Sequence, residues 1–412
     1  MKSPRIIPPR HWYWAVFLVF TGQGLVSTVF WTRSPDIAAH LGVDVATVGL
    51  LGFLSSVGGL LGILSGGPLS ARIGNRFVMI PSFAIVVTSL LLISFAAIGA
   101  NTIGVAFGLF ALGFASGTGG IALNLEGASV DRASVRSLLP SIHGAFSAGS
   151  LIGSGLGALL IALSLSIPAS FAVLCAVYVC VMSVGLINIP RHSGRQVTHD
   201  MNTQEIAQIP SRQERRGVLR EARLWGVMFI IFGMVMAEAT AATWLPLSLV
   251  TNAGLEPATA SLGLSLFFAG MTVGRFSGGL VVDRLGRSRT LAIYTVIAVV
   301  GILLVSATPL LHAWFIGATL WGLGLSIGFP LCVAAVSYEP RLAPSRVKYV
   351  ATTGSLSSLV GPPAIGFIGQ IFGLFVAFLI PATLLVSGLT SNRHTRPSAE
   401  EGTHHESILD LP

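Results

Sequence analysis

Long apolar segments alternate with short polar ones along almost the whole chain. A helix needs about 20 mostly apolar residues to cross a lipid bilayer. Twelve segments meet this requirement, at residues 12–32, 46–70, 77–98, 102–126, 138–163, 167–189, 224–249, 258–282, 289–308, 311–336, 348–371 and 373–391. Hydrophobicity is continuous within each segment and does not alternate as it does in the strands of a membrane β-barrel. The pattern therefore predicts an all-α membrane protein with twelve transmembrane helices.

The composition of the chain narrows the classes of function. Apolar residues make up 53% of it and charged residues only 10%, which excludes an ordinary soluble domain. Its net charge is +8, but binding of nucleic acid needs basic residues clustered on one face. Here they form short groups between apolar segments, so we expect no nucleic-acid partner. Cys175, Cys180 and Cys332 lie inside apolar segments without a CxxC pair, so we expect no disulfide, metal site or cofactor.

Arginine and lysine fall almost entirely on one side of the predicted helices. If the N-terminus is cytoplasmic, 22 of the 24 basic residues lie in cytoplasmic segments, and the exceptions are Arg33 and Arg275. Such an excess of basic residues is typical of cytoplasmic loops. The first apolar segment lacks a clear small-residue cleavage site, so we interpret it as an uncleaved helix. These features predict a multi-pass protein of the cell (inner or plasma) membrane with both termini in the cytoplasm.

Two polar loops, 212 residues apart, share one motif. Each of them follows the second apolar segment of a set of six. Charges at the centre of a bilayer cost several kcal/mol each, so both loops must lie in water on one membrane face. The repeat indicates two similar six-helix halves. The motif residues are Gly67, Arg72, Gly74 and Arg76 in the first loop, and Gly279, Asp283, Arg284, Gly286 and Arg287 in the second.

The longest polar segment, residues 190–223, divides these halves. It holds seven arginines and two prolines, as a solvated linker would. Its second part, residues 204–223, could instead form a basic amphipathic helix on the anionic inner leaflet. We assign residues 1–189 to an N-terminal half, 190–223 to a cytoplasmic linker, 224–391 to a C-terminal half and 392–412 to a disordered cytoplasmic tail.

The motif Gly-x-x-x-Asp-Arg-x-Gly-Arg resembles the signature loop of the major facilitator superfamily (MFS) of secondary transporters. The second loop matches it, whereas the first has Ala71 in place of the aspartate. The resemblance implies that both loops act in gating, the first with an incomplete charge relay. It also implies two six-helix halves around a central solute site, working by alternating access. The run from Asn124 to Ala128, followed by His143, is similar to bacterial members grouped with sugar permeases.

Asp283 has an expected place in gating rather than in solute binding. It lies at the cytoplasmic end of the eighth predicted helix. We expect its carboxylate to accept hydrogen bonds from free backbone amides at the start of the eleventh helix, near Lys348.

Polar side chains inside membrane-spanning segments are functional candidates by default. Glu238 is the strongest one, because it lies about 21 Å into a hydrocarbon core of about 30 Å and should therefore face a cavity. A desolvated carboxylate there suits reversible proton binding, or binding of a cationic or hydroxyl-bearing solute. The alternative is a structural glutamate bonded to a neighbouring helix. The full set of candidates is Gln23, Asn124, Glu126, His143, Glu238 and Arg275.

The other candidates also have structural alternatives. Arg275 could snorkel to the lipid headgroups. Asn124 and Glu126 point about 200° apart on one helix, so they cannot both line one cavity. Gln23 and the aromatic Trp321 could contact the solute or simply pack.

His143 begins a polar stripe on the fifth helix. The stripe continues through Ser147, Ser150 and Ser154, beside glycines at every fourth position: Gly149, Gly153 and Gly157. Such a face suits either a solute pathway or close contact between helices. His143 itself could also be an interfacial histidine.

These observations predict a monomeric secondary transporter in the lipid bilayer that moves a small organic solute, with protons as the expected coupling ion. The sequence has no GxxxxGK[ST] loop of the kind that would indicate ATP drive. It also has no HExxH motif, aspartate pair or Ser/Lys pair at a depth suited to an intramembrane enzyme. Sugar-like uptake, metabolite transport and efflux by proton antiport all stay open. A non-transporting membrane sensor or scaffold is the alternative from another class, which the departure at Ala71 favours and the intact second loop opposes.

Overall fold

The computed structural model describes residues 10–134, 138–191, 193–194, 217–338 and 341–395. Helices account for nearly all of them, and this described part contains no strand. The first half comprises α1 (Arg10–Thr32), α2 (Ser34–Leu41), α3 (Val45–Ile73), α4 (Asn75–Ile98), α5 (Thr102–Ala133), α6 (Leu139–Ala162) and α7 (Ile167–Ile187). The second comprises α8 (Ala222–Thr251), α9 (Pro257–Leu285), α10 (Arg287–Ala307), α11 (Leu311–Leu325), α12 (Gly328–Val336), α13 (Ala343–Phe372), α14 (Leu374–Ala377) and α15 (Leu379–Ser391).

The prediction of twelve spanning helices is confirmed. Twelve helical stretches of the described chain are long and apolar enough to cross a membrane. Four features differ from the prediction: α2 is an additional short helix, α5 extends to Ala133, the tenth span is interrupted between α11 and α12, and the twelfth span is divided at Phe378 into α14 and α15. Pro330 explains the interruption, because it has no backbone N–H for the carbonyl of Ser326, four residues earlier, and its ring clashes with that carbonyl.

Each set of helices has an apolar core of its own. One core is built from α1 and α3 to α7 with Ile37 of α2, and its largest buried side chains include Phe171 and Tyr178. The other is built from α8 to α15, with Trp244 and Trp321 fully buried, and it also takes in Ala38 and Val48 from the first half. Apolar side chains facing outward, such as Phe107 and Leu280, are exposed, as expected where lipid replaces water.

Hydrogen bonds between helix ends define two sides of the molecule. The side that carries the start of α1, the turn between α3 and α4 and the end of α5 is named the arginine side here, because Arg72, Arg76, Arg284 and Arg287 lie on it. The same side of the second half carries the starts of α8 and α13, which Glu221 and Arg346 join. The other side is named the opposite side.

The two halves meet on the opposite side. The backbone N–H of Ala46, near the start of α3, donates to Gln370 near the end of α13 at 3.3 Å. One turn further along, a β-carbon added at Gly49 would lie 3.3 Å from the α-carbon of Gly366. Ser261 of α9 donates to the carbonyl of Thr32 of α1 at 2.9 Å. The opposite side is therefore closed.

The contact between α3 and α13 continues to mid-depth. There Ser56 of α3 donates to the carbonyl of Ser358 of α13 at 3.3 Å. Pro362, four residues after Ser358, has no N–H for this carbonyl, so a side chain of the first half supplies the donor that the helix lacks.

The predicted linker and tail lie largely outside the described residues. Within the linker, residues 190–191, 193–194 and 217–223 are described, and the last range includes a short 3-10 helix at Val218–Arg220. Within the tail, Asn392–Thr395 forms another 3-10 helix. The predictions of a solvated or amphipathic linker and of a disordered tail otherwise fall on residues 195–216 and 396–412, outside the described part.

Candidate functional site

A polar cluster lies where α6, α8 and α9 meet the interruption of the tenth span. Arg275 of α9 is at its centre. Glu238 lies about 24 Å from the start of α8, and Ser147 lies about 12 Å from the start of α6. The cluster thus brings together Glu238, His143 and Arg275, three of the residues predicted from the sequence, and it joins the two halves.

The guanidinium of Arg275 donates in several directions. Its Nε donates to the carbonyl of Ser326 at 3.3 Å. Its Nη1 donates to the carbonyl of His143 at 3.4 Å and to the hydroxyl of Ser147. Its Nη2 faces Oε1 of Glu238 at 3.5 Å. Arg275 therefore does not snorkel to the membrane surface but binds groups of both halves.

Local sequence explains why a guanidinium is stable at this depth. Pro330 leaves the carbonyl of Ser326 without a helical partner, and such a carbonyl inside a membrane must find another donor. The Nε of Arg275 is that donor. The charge of Arg275 is offset by the carboxylate of Glu238, as is usual for ionisable groups within the bilayer.

Glu238 is much less engaged than Arg275. Its contact with Arg275, at 3.5 Å, is the single hydrogen bond or ion pair that Glu238 makes with the described residues. Its side chain is 31% exposed, against 15% for Arg275. A carboxylate at mid-depth that is open on one side can exchange a proton or bind a solute.

His143 contributes its backbone carbonyl to the cluster rather than its ring. The ring packs edge-on against Phe20, with 5.5 Å between centroids. It makes no hydrogen bond with any residue that the structure describes. Gln23 of α1 is 8% exposed, and its buried Oε1 has no hydrogen-bond partner among the described residues.

Trp321 does not join this cluster. It is fully buried in the core of the second half, where it packs edge-on against Phe267 and Phe378 at centroid distances of 6.1 and 5.4 Å. Of the two roles considered for Trp321, packing is the one that the structure favours.

Asn124 and Glu126 lie on different faces of α5, as their spacing predicted. Asn124 is exposed and donates to the carbonyl of Gly120, one turn earlier on its own helix, at 2.9 Å. Glu126 is fully buried, and it lies seven residues before the end of α5 rather than at the end as predicted, because the helix continues to Ala133.

Glu126 ties together four segments on the arginine side. It accepts hydrogen bonds from Nε1 of Trp12 at 2.7 Å and from Nδ2 of Asn75 at 2.8 Å. It also accepts one from the hydroxyl of Ser193, which follows α7. These contacts occupy both carboxylate oxygens, so Glu126 has a structural place away from the cluster around Arg275.

We expect Glu126→Ala to lower the stability of the protein and to leave transport by the surviving molecules intact. The substitution removes a charged acceptor and takes the partner away from the buried amide of Asn75 and the half-buried indole N–H of Trp12, which should destabilise the fold by about 3 kcal/mol. Thermal unfolding in detergent measures this change. Asn124→Ala is the control and should change stability by less than about 0.5 kcal/mol. Equal melting temperatures for the two variants would contradict the assignment.

Similarity to known proteins identifies the family of this chain. A profile of the Major Facilitator Superfamily matches residues 13–256 and 227–406. The chain belongs to the Major Facilitator Superfamily. An uncharacterized MFS-type transporter of Yersinia pestis is 29% identical over 380 residues, which cover 91% of this chain and 94% of the relative.

Solved MFS structures share the fold of this chain. A variant of the nucleoside transporter NupG superposes with a TM-score of 0.74 at 12% identity, covering 94% of this chain and 100% of NupG. A variant of the fucose:proton symporter FucP of E. coli gives a TM-score of 0.61 at 17% identity, covering 96% of this chain and 100% of FucP. At these identities the likeness establishes the architecture and not the solute.

The two MFS signature loops have matching turns. Gly74 and Gly286 adopt φ values of 95° and 77°, a region that favours glycine. The arginine that follows each turn reaches a helix end: Arg76 donates to the carbonyl of Ile189 at 3.0 Å, and Arg287 donates to that of Ala334 at 3.5 Å. Each loop is therefore bonded to a helix end of its own half on the arginine side.

The expected contact of Asp283 with the eleventh span is absent from this structure. Asp283 is exposed and makes no hydrogen bond or ion pair with any described residue. The reason lies in the packing of its helix, because α9 packs along α6 of the first half, where Phe276 contacts Gly144. Gly67, Arg72, Gly279 and Arg284 likewise lie in open or exposed positions.

Sequence reasoning missed a second ionic cluster on the arginine side. Arg346 of α13 makes two hydrogen bonds to Glu221, at 2.8 and 2.9 Å. Tyr338 donates to Glu221 at 3.0 Å, and its ring lies between Arg346 and Arg223, at 4.1 and 4.4 Å from their guanidinium carbons. Burial raises the pKa of Tyr338, and the hydrogen bond to Glu221 raises it further. No spacing in the sequence links these residues, because they come from three separate segments.

The sequence analysis also missed the carbonyl of Ser326 as a hydrogen-bond acceptor in the cluster, although the position of a proline could have indicated it. A proline inside a predicted span deprives the carbonyl four residues earlier of its partner. Applied to Pro330, this rule points to Ser326 as an acceptor in need of a donor, and Arg275 is the donor that the structure supplies.

Proposed function

We propose that this MFS protein is a secondary transporter that takes up a small organic solute together with protons, with Glu238 as the proton-coupling group. The observation that carries the proposal is the incomplete bonding of Glu238. A carboxylate at mid-depth, one third exposed and held by a single long contact, is suited to cycle between charged and neutral forms. A fucose:proton symporter has the same fold, and this supports the proposal that protons are the coupling ion here.

The remaining polar groups of the cluster support a pathway between the halves. Arg275 belongs to the second half and reaches His143 and Ser147 of the first. Relative motion of the halves must therefore change the surroundings of Glu238, as coupling of a proton to alternating access requires. Gln23, whose Oε1 is unpartnered within the described part of the chain, is a further candidate for the solute pathway.

The proposed orientation places the arginine side in the cytoplasm of a cell with this protein in its inner or plasma membrane. The distribution of basic residues supports it. With the opposite side closed by the contacts between α3 and α13, the structure would then represent an inward-facing state. The exposed positions of Asp283, Arg72 and Arg284 fit open signature loops in that state.

Proteoliposomes containing a pH-sensitive dye test this proposal. Candidate solutes such as hexoses, amino sugars and nucleosides are added outside, one at a time, without an imposed proton gradient. Uptake with protons acidifies the interior, and an uncoupler abolishes the signal. Alkalinisation would instead indicate proton antiport and hence efflux, while labelled solute that crosses without any pH change would exclude proton coupling. A protein that moves none of the solutes would favour a sensor or scaffold.

A further inference from the structure

An arginine at the centre of a transporter suggests an anionic solute, but the bonding of Arg275 argues against one. A guanidinium has five N–H donors. Four of them have acceptors within the protein: the carbonyls of Ser326 and His143, the hydroxyl of Ser147 and Oε1 of Glu238. Little of Arg275 is left to bind a carboxylate or phosphate.

The acceptors of Arg275 also hold it in place. The carbonyl of Ser326 has no helical donor because Pro330 lacks an N–H. Ser147 is fully buried. An anion that drew the guanidinium away would leave these buried acceptors without partners, which is unfavourable in a membrane interior. It would also come close to the negative charge of Glu238.

Glu238, in contrast to Arg275, has hydrogen-bonding capacity that the described residues do not use. One of its oxygens faces Arg275 at 3.5 Å, beyond the usual length of a strong hydrogen bond. The other oxygen, Oε2, has no hydrogen bond to a described residue. With a side chain 31% exposed, Glu238 is the open acceptor of the cluster.

From this contrast we infer that the solute is recognised through a hydrogen-bond donor, a hydroxyl or an ammonium group, which binds Glu238, and that Arg275 is a positioning residue. The site would accept neutral or cationic solutes and discriminate against carboxylates and phosphates. The inference rests on the proposed function for the existence of a solute. Its physical content, an engaged Arg275 beside an open Glu238, is measurable without knowing that solute.

Chemical labelling of the full-length protein in proteoliposomes measures both groups. A water-soluble carbodiimide with glycine methyl ester labels open carboxylates, and butane-2,3-dione labels free guanidiniums. Mass spectrometry of peptides gives the rate at each site. We expect Glu238 to react readily, which also shows that reagents reach the cluster. We expect Arg275 to react at least tenfold more slowly than the exposed Arg284.

Two serine variants provide a matched pair. Ser147→Ala removes one acceptor of Arg275 and should raise its labelling rate severalfold. Ser150→Ala is the control, because Ser150 is also fully buried on α6 but donates to the carbonyls of Gly24 and Phe146. It should leave the rate at Arg275 unchanged. Equal rates at Arg275 and Arg284 in the wild type would overturn the inference.

A charge series then tests the class of solute. Glucose, N,N-dimethylglucosamine and glucose 6-sulfate differ mainly in charge, and neither the tertiary amine nor the sulfate ester reacts with the carbodiimide. Slower labelling of Glu238 with glucose indicates recognition of a hydroxyl, and slower labelling with the amine alone indicates an ammonium. Stronger protection by glucose 6-sulfate than by the other two would overturn the inference. If none of the three protects Glu238, the comparison of the labelling rates of Arg275 and Arg284 decides whether the inference stands.

Failure of this inference differs from failure of the proposed function. Rapid labelling of Arg275 in vesicles that still couple solute to protons would overturn the inference alone. Normal proton-driven accumulation by a Glu238→Gln variant would overturn the proposed function and leave the labelling contrast standing.

Discussion

Vesicles that contain Glu238→Gln should exchange a transported solute across the membrane but fail to accumulate it. Glutamine keeps the shape and hydrogen-bonding capacity of the side chain while fixing it in a neutral state. Because linkage is reciprocal, a site that no longer binds a proton also loses the effect of pH on solute affinity. Under an inward proton gradient, the ratio of internal to external solute should fall to about one, while counterflow continues.

The control for this variant is Glu126→Gln. Glu126 is another glutamate on a spanning helix, but it is fully buried and binds Trp12, Asn75 and Ser193 on the arginine side. Those molecules of the Glu126→Gln variant that fold should still accumulate solute. Glu238→Ala should lose both exchange and accumulation, because it also removes the hydrogen bond to the solute. A Gln variant that accumulates solute with normal pH dependence would exclude Glu238 as the proton site and point to His143.

The helices of this protein could be predicted closely because the bilayer leaves few alternatives. Every backbone group in lipid must be bonded internally, so an apolar segment of sufficient length becomes a helix. The break between α11 and α12 was not foreseen, since its cause is Pro330 within an otherwise continuous apolar segment. The length of α5 was underestimated because its last turns are polar and lie beyond the apolar stretch.

The members of the polar cluster could be predicted individually but not as a group. A scan for ionisable residues in apolar segments finds Glu238, His143 and Arg275, since each is rare in such a setting. It does not show that His143 contributes its carbonyl rather than its ring, or that Arg275 reaches Glu238. Those facts depend on how α6, α8 and α9 pack, which no local pattern encodes.

Glu126 shows the limit of the same scan. A polar residue in a spanning segment can serve a solute or can satisfy neighbouring segments, and both give the same sequence signal. Here the partners of Glu126 are a tryptophan, an asparagine and a serine from three other segments. Their contribution becomes visible only when the ends of the helices are placed together.

Gly149→Ala should strongly destabilise the first half. A β-carbon at this position would lie 1.9 Å from the carbonyl oxygen of Thr21, so α1 and α6 would have to separate by more than 1 Å. Overpacking of this kind destabilises a fold by about 3 kcal/mol or more when backbone rather than a flexible side chain must yield. We expect the yield of monodisperse protein from detergent extraction to fall severely.

Gly155→Ala, on the same helix, is the matched control. A β-carbon there has open space, with no heavy atom within 4 Å. Alanine has a higher helix propensity than glycine by about 1 kcal/mol, so this variant should be as stable as the wild type or slightly more so. Equal behaviour of the two alanine variants in size-exclusion chromatography and thermal unfolding would show that α1 and α6 are not in the close contact described.

The close approach at Gly149 also bears on the site. Gly24 of α1 meets α6 in the same way, with an added β-carbon 1.9 Å from the carbonyl oxygen of Phe146. These two contacts fix the position of Ser147, which lies between Phe146 and Gly149 and binds Arg275. Any Gly149→Ala protein that does fold must have α6 displaced from α1. We therefore expect its Arg275 to react with butane-2,3-dione as rapidly as in Ser147→Ala, because both changes take the hydroxyl of Ser147 away from the guanidinium.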